Sequence, residues 1–485
     1  MGSPGVTVTR VNGTLSIVTP APSKPLVIGP CSGGVVNQKY TFAQPNSIAA
    51  SIGLGPAQIA AGKILADNGG SIDVIVANAS NAGTVGAITS GSGVPAMTIA
   101  GAPFDSYQGV VTVQQTGALG AGRFSFTLDG GNNSSPNILL TGSYSVPNTG
   151  LTLTFPSTTY TVGQSWAFSA FAPSMDQTDL IAAGNVFTGS LSTPTVVYIA
   201  NDDQSAAHGV LIASAADELM TTYTNNEINC PVVTNAGGVN GQTAAVISDF
   251  NAFAFSGGAG GQNVGMVVAE RANILVATPF MGYGSPQLPF GLAVASRIAG
   301  DLPPTNPARV ATGPLPGVSS PTYDETVNGE VYLDAAIAAP YTIRNYPGIY
   351  LEQGVLKSPT GSPYNLLGAA RVLLLADTVV TTALKNYINK TVRTNTNGSG
   401  TILPADANKI NADVNSQLQA AIMQPFNAEG TPGWASGVQF TVDTTNDILE
   451  TSILQATCIV VPLANISNAV VQLSFAISIA PASST

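Results

Sequence analysis

The sequence predicts a multidomain fold of mixed α/β and α+β class: an α/β domain interrupted by an inserted β-sandwich, then a C-terminal α+β domain, with extended strand arms at both termini. Three patterns lead there. Short apolar runs alternate with helical periods on either side of a middle segment rich in Gly, Ser and Thr. That segment carries only short alternating strands, and both chain ends show the period of two that marks a half-buried strand. At 485 residues the chain exceeds one compact core, so about two to four domains are expected.

The N-terminal arm, 1–25, opens with Pro4-Gly5, after which Val6 and Val8 alternate with Thr7 and Thr9. The α/β domain is expected over 26–84 and 173–340. Its first unit reads β-α-β, with an apolar strand at 26–29, a helix over 56–68 with Pro56 in its first turn, and a strand at 72–76. Asn68-Gly69-Gly70 should end the helix, because glycine takes the left-handed conformation at a C-cap without a Cβ clash.

The insertion, 85–172, has strands at 96–99, 109–114, 122–128, 151–155 and 164–170, parted by turn signals such as Asp129-Gly130-Gly131. Strands this short and this frequent suit a small sandwich or barrel. The α/β pattern then resumes. Helices are expected at 177–186 and 203–223, the second with Val210, Leu211, Ala215, Leu219 and Met220 on one face. Strands at 195–199, 231–234, 264–269 and 274–278 follow, then a helix near 290–298. The Pro/Gly-rich stretch 302–320 reads as a long loop.

The C-terminal domain, 341–485, is the most regular. A helix over 365–392 spaces Val380, Leu384, Ile388 and Val392 four apart. A second begins at Pro404, with Asp406 where the helix dipole favours an anion, and aligns Ile410, Val414, Leu418 and Ile422 before stopping ahead of Pro425. Strands at 437–443, 447–461 and 466–479 close the chain. In the last, Val471, Leu473, Phe475, Ile477 and Ile479 alternate with Gln472, Ser474, Ala476 and Ser478. Termini usually fray unless a sheet ties them down. Apolar strands at both ends of a large polar chain suggest arms that pair with a sheet, a neighbour's included, and hence an assembly component before an enzyme.

Composition narrows the classes. Charged residues make up 8% of the chain, against about 25% in an ordinary domain. A surface of small neutral polar residues costs little to desolvate and suits packing against other subunits. The net charge of −11, with no Lys/Arg cluster, excludes direct nucleic-acid binding. A hydrophobic share of 44% and a mean hydropathy of +0.27 exclude disorder. No apolar run reaches the ~18 residues needed to span a bilayer, and a basic segment followed by an apolar core is missing at the start, so neither a membrane partner nor export is expected. Cys31, Cys230 and Cys458, odd in number and far apart, read as buried reduced thiols.

Candidate chemistry is thin. The one histidine, His208, lies near Asp202, Asp203 and Ser205, which would supply an orienting acid and a nucleophile. All fall at the opening of one helix, where Asp is a good N-cap, and capping is the stronger reading. Asp217-Glu218 point in different directions on a helix and read as a solvated face; Asp324-Glu325 are a second adjacent pair. The glycines of 257–261 lack the Lys-Ser/Thr of a phosphate loop. One histidine and scattered cysteines build no transition-metal site. No catalytic residue, cofactor or metal is expected.

Four stretches resemble the tail sheath proteins of contractile-tailed bacteriophages, nearest to the Mu-like branch. Pro4-Gly5-Val6-Thr7-Val8 looks like the opening of sheath N-terminal arms. Gly53-Leu54-Gly55-Pro56, leading through Asn68-Gly69-Gly70 into the 72–76 strand, is similar to the family's helix–NGG–strand element. Met97-Thr98-Ile99-Ala100-Gly101-Ala102-Pro103-Phe104-Asp105, with 152–155 and Gly163-Gln164-Ser165-Trp166, looks like the β-rich insertion of Mu-type sheaths. Asn345-Tyr346-Pro347-Gly348-Ile349-Tyr350, Arg371-Val372 and the closing sheet resemble the assembly domain.

The resemblance implies a structural virion protein assembled in the host bacterial cytoplasm, polymerised as stacked, six-fold rings around a tail tube. Its partners would be further copies, the tail tube protein, and baseplate and tail terminator proteins. Strand exchange would run through Val6, Val8, Val471, Leu473, Phe475, Ile477 and Ile479, by addition of a strand to a neighbour's sheet. The tube-facing surface is expected on the 404–424 helix, with Asp406, Lys409 and Asp413 exposed; the insertion would face outward. A secreted or surface β-rich adhesin stays open as an alternative, suggested by the Gly/Thr/Asn-rich β segments. A glycan-processing enzyme is a third, and would need a cleft with facing carboxylates.

Overall fold

The computed structural model describes residues 24–464, except 132, 191, 203–204, 238–242, 256–262, 277–286, 322–330 and 360–364. The arm residues Val6, Val8, Val471, Leu473, Phe475, Ile477 and Ile479 therefore lie outside the described residues, as do Asp203, the glycine-rich stretch 257–261 and Asp324-Glu325.

A six-stranded sheet forms the centre, in the order Gly265–Val268, Val232–Asn235, Val197–Ile199, Leu26–Pro30, Ile72–Ala77, Gln38–Phe42. The first five run parallel and the last is antiparallel. Parallel strands are covered on both faces and so read as continuous apolar runs, as Leu26-Val27-Ile28 does. Asp73 interrupts one such run; it accepts from the Thr41 hydroxyl at 2.6 Å and sits 3.9 and 3.8 Å from the Lys24 and Lys39 ammonium groups. The Gln38–Phe42 edge strand escaped the sequence reading because only Phe42 of its side chains is buried.

Val27, Val74 and Val76 face the Pro56–Asn68 and Gly291–Gly300 helices. Ile28 and Ile75, one residue out of phase, face Gln177–Asn185 and Ala206–Asn225. The last two helices approach so closely that a Cβ on Gly184 would lie 2.3 Å from a Leu219 methyl. Pro56 opens its helix and Gly69 and Gly70 follow it at φ 66° and 74°, as the sequence implied. Leu211 is a correction: it faces solvent, and Ile212, Ala216 and Tyr223 complete the apolar stripe. Of the strand expected at 274–278, residues 277 and 278 lie outside the described residues; the described strand is Arg271–Ile274, which follows Glu270 at φ 70°.

Residues 82–173 leave and re-enter through a neck, where Asn81 and Ser174 exchange two backbone hydrogen bonds of 3.1 and 2.9 Å. Within that excursion one sheet orders Thr84–Val85, Ser165–Phe171, Tyr107–Gln115, Arg123–Thr127 and Ile138–Leu139, with Thr89–Ser90 also on Ser165–Phe171. The other orders Ser143–Val146, Leu151–Thr154 and Thr98–Ala100. They share one core of Phe124, Phe126, Leu153, Phe155, Tyr160 and Trp166. The two polar rings are satisfied by main chain: Tyr160 donates to Pro156 O at 2.7 Å and Trp166 to Pro95 O at 2.9 Å.

Towards the C-terminus, Leu367–Lys385 and Pro404–Leu418 pack against a hairpin of Ala435–Val442 and Ala456–Pro462. Ile410, Val414, Leu418 and Ile422 are buried as a stripe. The first helix stops at Lys385, so Ile388 and Val392 fall beyond it, and Asn389 takes φ 60° in the following turn. The expected 447–461 strand starts only at Ala456, because Asp447 caps a helical turn, Ile448–Thr451, by accepting from Glu450 N at 3.0 Å.

Leu367–Lys385 also corrects the membrane reading: by length and a mean hydropathy of 1.6 it could span a bilayer, although Arg371 and Asp377 interrupt it. Its apolarity has another cause. Leu367, Ala370 and Leu374 belong to the α/β core, whereas Val372, Ala376, Val380 and Leu384 belong to the C-terminal core, so one helix is buried in two.

The loop expected over 302–320 is shorter: Val318–Pro321 is a strand paired with Arg271–Ile274, and Val310–Thr312 is a 3-10 turn. Buried cations stitch the remaining loop to this framework. Arg371 donates to Asp301 O and Leu302 O at 3.0 and 3.3 Å, and Arg297 to Thr312 O, Gly313 O and Pro314 O at 3.3, 3.1 and 2.5 Å. Burial pulls the Arg371 guanidinium down to about 10, still charged at neutral pH. Lys63 donates to Pro316 O at 2.9 Å and to Asp67 at 2.8 Å. Arg371→Met should leave two carbonyls without their donor, at a cost of about 1–3 kcal/mol. The expected result is faster proteolytic nicking within 302–317 and an earlier first unfolding transition; an unchanged cleavage rate would contradict the clamp.

Candidate functional site

The C-terminal hairpin pairs Gly437 with Val461, Gln439 with Ile459 and Thr441 with Thr457 on one face, and Val438 with Val460 and Phe440 with Cys458 on the other. The second face rests on the helices, which bury Phe440 and Val442. The first is open, with Ile459 54% and Val461 51% exposed. Cys458 is exposed too, which corrects its reading as a core thiol; Cys230 is buried as expected and Cys31 is half-buried.

The two edges of the hairpin differ. Backbone groups of a strand alternate in direction, so residues 438, 440 and 442 point away from the partner strand. There Asn415 Nδ2 donates to Phe440 O and Asn415 Oδ1 accepts from Phe440 N, both at 2.8 Å, and Asn411 Oδ1 accepts from Val442 N at 2.8 Å. On the far edge the outward groups belong to Ala456, Cys458 and Val460, and no side chain among the described residues bonds to them.

Pro404–Leu418 turns a third face to solvent, with Ala405, Asn408, Lys409, Ala412 and Ser416 exposed. Of the three residues expected there, Lys409 is exposed. Asp406 and Asp413 are half-buried and engaged within the chain, which corrects their assignment as exposed. Asp406 accepts from Arg393 N and Nη2 at 2.7 and 2.6 Å, and Arg393 holds its carboxyl down to about 2. Asp413 accepts from the Tyr387 hydroxyl at 2.8 Å.

A second polar centre lies at the carboxyl ends of Leu26–Pro30 and Val197–Ile199, the switch point where open α/β sheets hold ligands. A small cavity there is lined by Pro56, Ile59, Asp105, Tyr198, Asn201 and Asp202. The excursion supplies Asp105 to its lining and packs Ser106 against Asp202. Ser106 Oγ donates to Asp202 Oδ2 at 2.5 Å and accepts from Ala172 N at 3.0 Å, while Arg271 forms a bidentate pair with Asp202, Nη2 lying 2.9 Å from Oδ2. Asp105 Oδ2 is buried with no hydrogen-bond partner among the described residues. Burial, and secondarily the Asp202 carboxylate, push Asp105 up to about 7.

Asp202 is thus neither helix cap nor orienting acid: the cap position is Ser205, whose side chain makes no capping bond, and His208 is half-buried one turn on. Asp217 accepts from Asn263 at 2.6 Å while Glu218 faces water, two directions as expected. The Asp105–Asp202–Arg271 group gave no sequence signal, because its members come from three distant segments.

Fold and site thus describe a chain whose α/β crevice is lined in part by its own excursion and whose hairpin has one edge that no side chain among the described residues covers. The sequence matches no family model and no curated protein. Among solved structures, a chain of the anti-feeding prophage baseplate in its contracted state matches over 98% of this chain and 99% of its own, with a TM-score of 0.54 at 11% identity. Sheath tail proteins from Desulfitobacterium hafniense and Listeria innocua also match, each with a TM-score of 0.44. Their identities are 11% and 10%, covering 93% and 91% of this chain and 99% and 95% of theirs. The structural neighbours are sheath tail proteins and a contractile baseplate component. What the chain shares with the baseplate chain is its fold.

A raised carboxyl pKa makes stability depend on pH with a definite sign. Asp105's contribution is present below the unfolded value of 3.8 and is lost as pH rises through about 7. Asp105→Asn should therefore melt with the parent near pH 4 and above it at pH 8. Equal melting temperatures at both values would contradict a buried, proton-binding Asp105.

Proposed function

We propose that this chain is the structural subunit of a contractile tail sheath, polymerising as stacked rings around a tail tube and contracting to drive the tube through a host envelope. The observation that carries the reading is a hairpin with one edge that no side chain among the described residues covers, in a chain sharing its fold with a contracted baseplate component. A strand edge without a charge or interior proline to blunt it is a template for another strand. The arms of neighbouring copies, through Val6 and Val8 or through Val471, Leu473, Phe475, Ile477 and Ile479, have the alternation to fill it.

On this reading 1–25 is the N-terminal arm, 26–84 with 173–340 the α/β sheath domain, 85–172 the outward-facing insertion, and 341–485 the assembly domain. Heterologous contacts of this kind build an open helical lattice, with six-fold rings as the family resemblance implies. The tail tube, baseplate and tail terminator proteins are its partners, in a virion tail assembled in the bacterial cytoplasm. The tube-facing surface is the exposed strip of the 404–424 helix that carries Lys409, with Asp406 and Asp413 half-buried at its margin. Such a strip suits a contact that must break during contraction, since a large apolar interface there would hold the tube fast.

Contraction that buried ~200 Å² more apolar surface per subunit, at ~25 cal/mol/Å², would release roughly 5 kcal/mol each. Summed over many subunits this drives the stroke, while strand-linked joints keep the mesh continuous. Electron microscopy of the purified protein should show hollow striated cylinders. Deleting residues 6–11 or 471–479 should leave folded monomers that do not polymerise; tubes from either truncation would sink the strand-exchange reading.

A further inference from the structure

We propose that Asn397-Gly398 is a site of self-modification, where the chain converts its own asparagine to aspartate and isoaspartate with Ser399 as the promoting residue. The site is a turn of the C-terminal domain between Leu367–Lys385 and Pro404–Leu418. Its chemistry holds whether or not the chain forms a sheath.

The reaction needs a main-chain nitrogen that reaches the carboxamide carbon of the residue before it. Glycine presents that nitrogen with no Cβ in the way. The two groups belong to adjacent residues, so no encounter has to be arranged. Gly398 N gives its proton to hydroxide and bonds to Asn397 Cγ. The Cγ–Nδ2 bond then breaks, and ammonia leaves with a proton taken from water. A water molecule opens the five-membered imide at either carbonyl, leaving aspartate or isoaspartate. In total one water is consumed and one ammonia released.

The turn is set up for that attack. Asn397 and Gly398 are exposed, and Gly398 takes φ 79°. Among the described residues nothing accepts from Gly398 N. Asn397 Oδ1 accepts from Ser399 N at 3.1 Å and from Ser399 Oγ at 2.6 Å. Two donors on this oxygen draw electron density from Cγ and meet the negative charge that develops as the new bond forms. Ser399 Oγ is itself placed by Thr401 Oγ1, 2.9 Å away. Below the tip the chain is held, with Asn395 N donating to Thr401 O at 2.8 Å and Leu403 N to Arg393 O at 2.7 Å.

Asn68-Gly69 has the same two residues and none of this freedom. Asn68 Nδ2 donates to Ile64 O and Ser296 O at 3.1 and 2.9 Å, and Gly69 N donates to Leu65 O at 2.8 Å. Both the leaving group and the attacking nitrogen are engaged, so reaction there waits for the helix end to open. The product at Asn397 places a new negative charge on a turn whose Gly400 already rests against the Asp447 side chain.

Ageing the purified wild-type chain in mildly alkaline buffer made with heavy-oxygen water tests this. Tryptic cleavage after Arg393 and Lys409 releases residues 394–409. Tandem mass spectrometry should show residue 397 converted from amide to acid with one heavy oxygen, in aspartyl and isoaspartyl forms. The rate should exceed that at Asn68 at least about tenfold. Ser399→Ala should slow conversion severalfold, and Ser399→Thr, which keeps the hydroxyl, should retain the parent rate.

Equal rates at Asn397 and Asn68 overturn the proposal, as does a parent rate in Ser399→Ala. In urea the two asparagines should age at similar rates; a difference as large as in the folded chain would trace the effect to local sequence and also overturn it. None of these measurements depends on polymer formation, so their failure leaves the sheath reading where it stands.

Discussion

One helix decides how the parts of this molecule hold together. Leu367–Lys385 lends its first turns to the α/β core and its remainder to the C-terminal core. A side chain can belong to only one core, so the helix is apolar on more than one side, and that gives it the composition of a membrane span. A shared rigid element also leaves no linker between the hairpin and the central sheet.

The small number of charges makes each one readable. Arg297, Arg371 and Lys63 spend theirs on main-chain carbonyls of one long loop, and Arg271 on Asp202 under the excursion. Cations used this way replace the regular ladder that a Pro/Gly-rich segment cannot make. The surface left over is polar without being ionic. Interfaces built from it lose little hydration energy when they form.

Much of the fold was legible because core burial writes a period into the sequence. Ile410, Val414, Leu418 and Ile422 announced their helix, and Gly69-Gly70 its neighbour's end. Legibility failed where the partner is remote. Asn411 and Asn415 look like ordinary polar helix residues, and their role depends on a strand 25 to 31 positions later. Asp202 looked like a cap until Ser106 and Arg271, 96 and 69 residues away, came to it. The Gln38–Phe42 strand stayed hidden for a different reason: an edge facing water leaves its alternation unwritten. The hairpin was legible as strands, but which of its edges is guarded is set by side-chain amides that no periodicity records.

The neck at Asn81 and Ser174 has a mechanical meaning. A pull applied along Ile72–Ala77 and Gln177–Asn185 would meet the two neck hydrogen bonds first. The body beyond them has a second tie, where Ser106 reaches Asp202 and Asp105 enters the crevice. Most of its ninety-odd residues lie away from both ties, and those are the ones whose sequence and shape can change without touching the α/β layer.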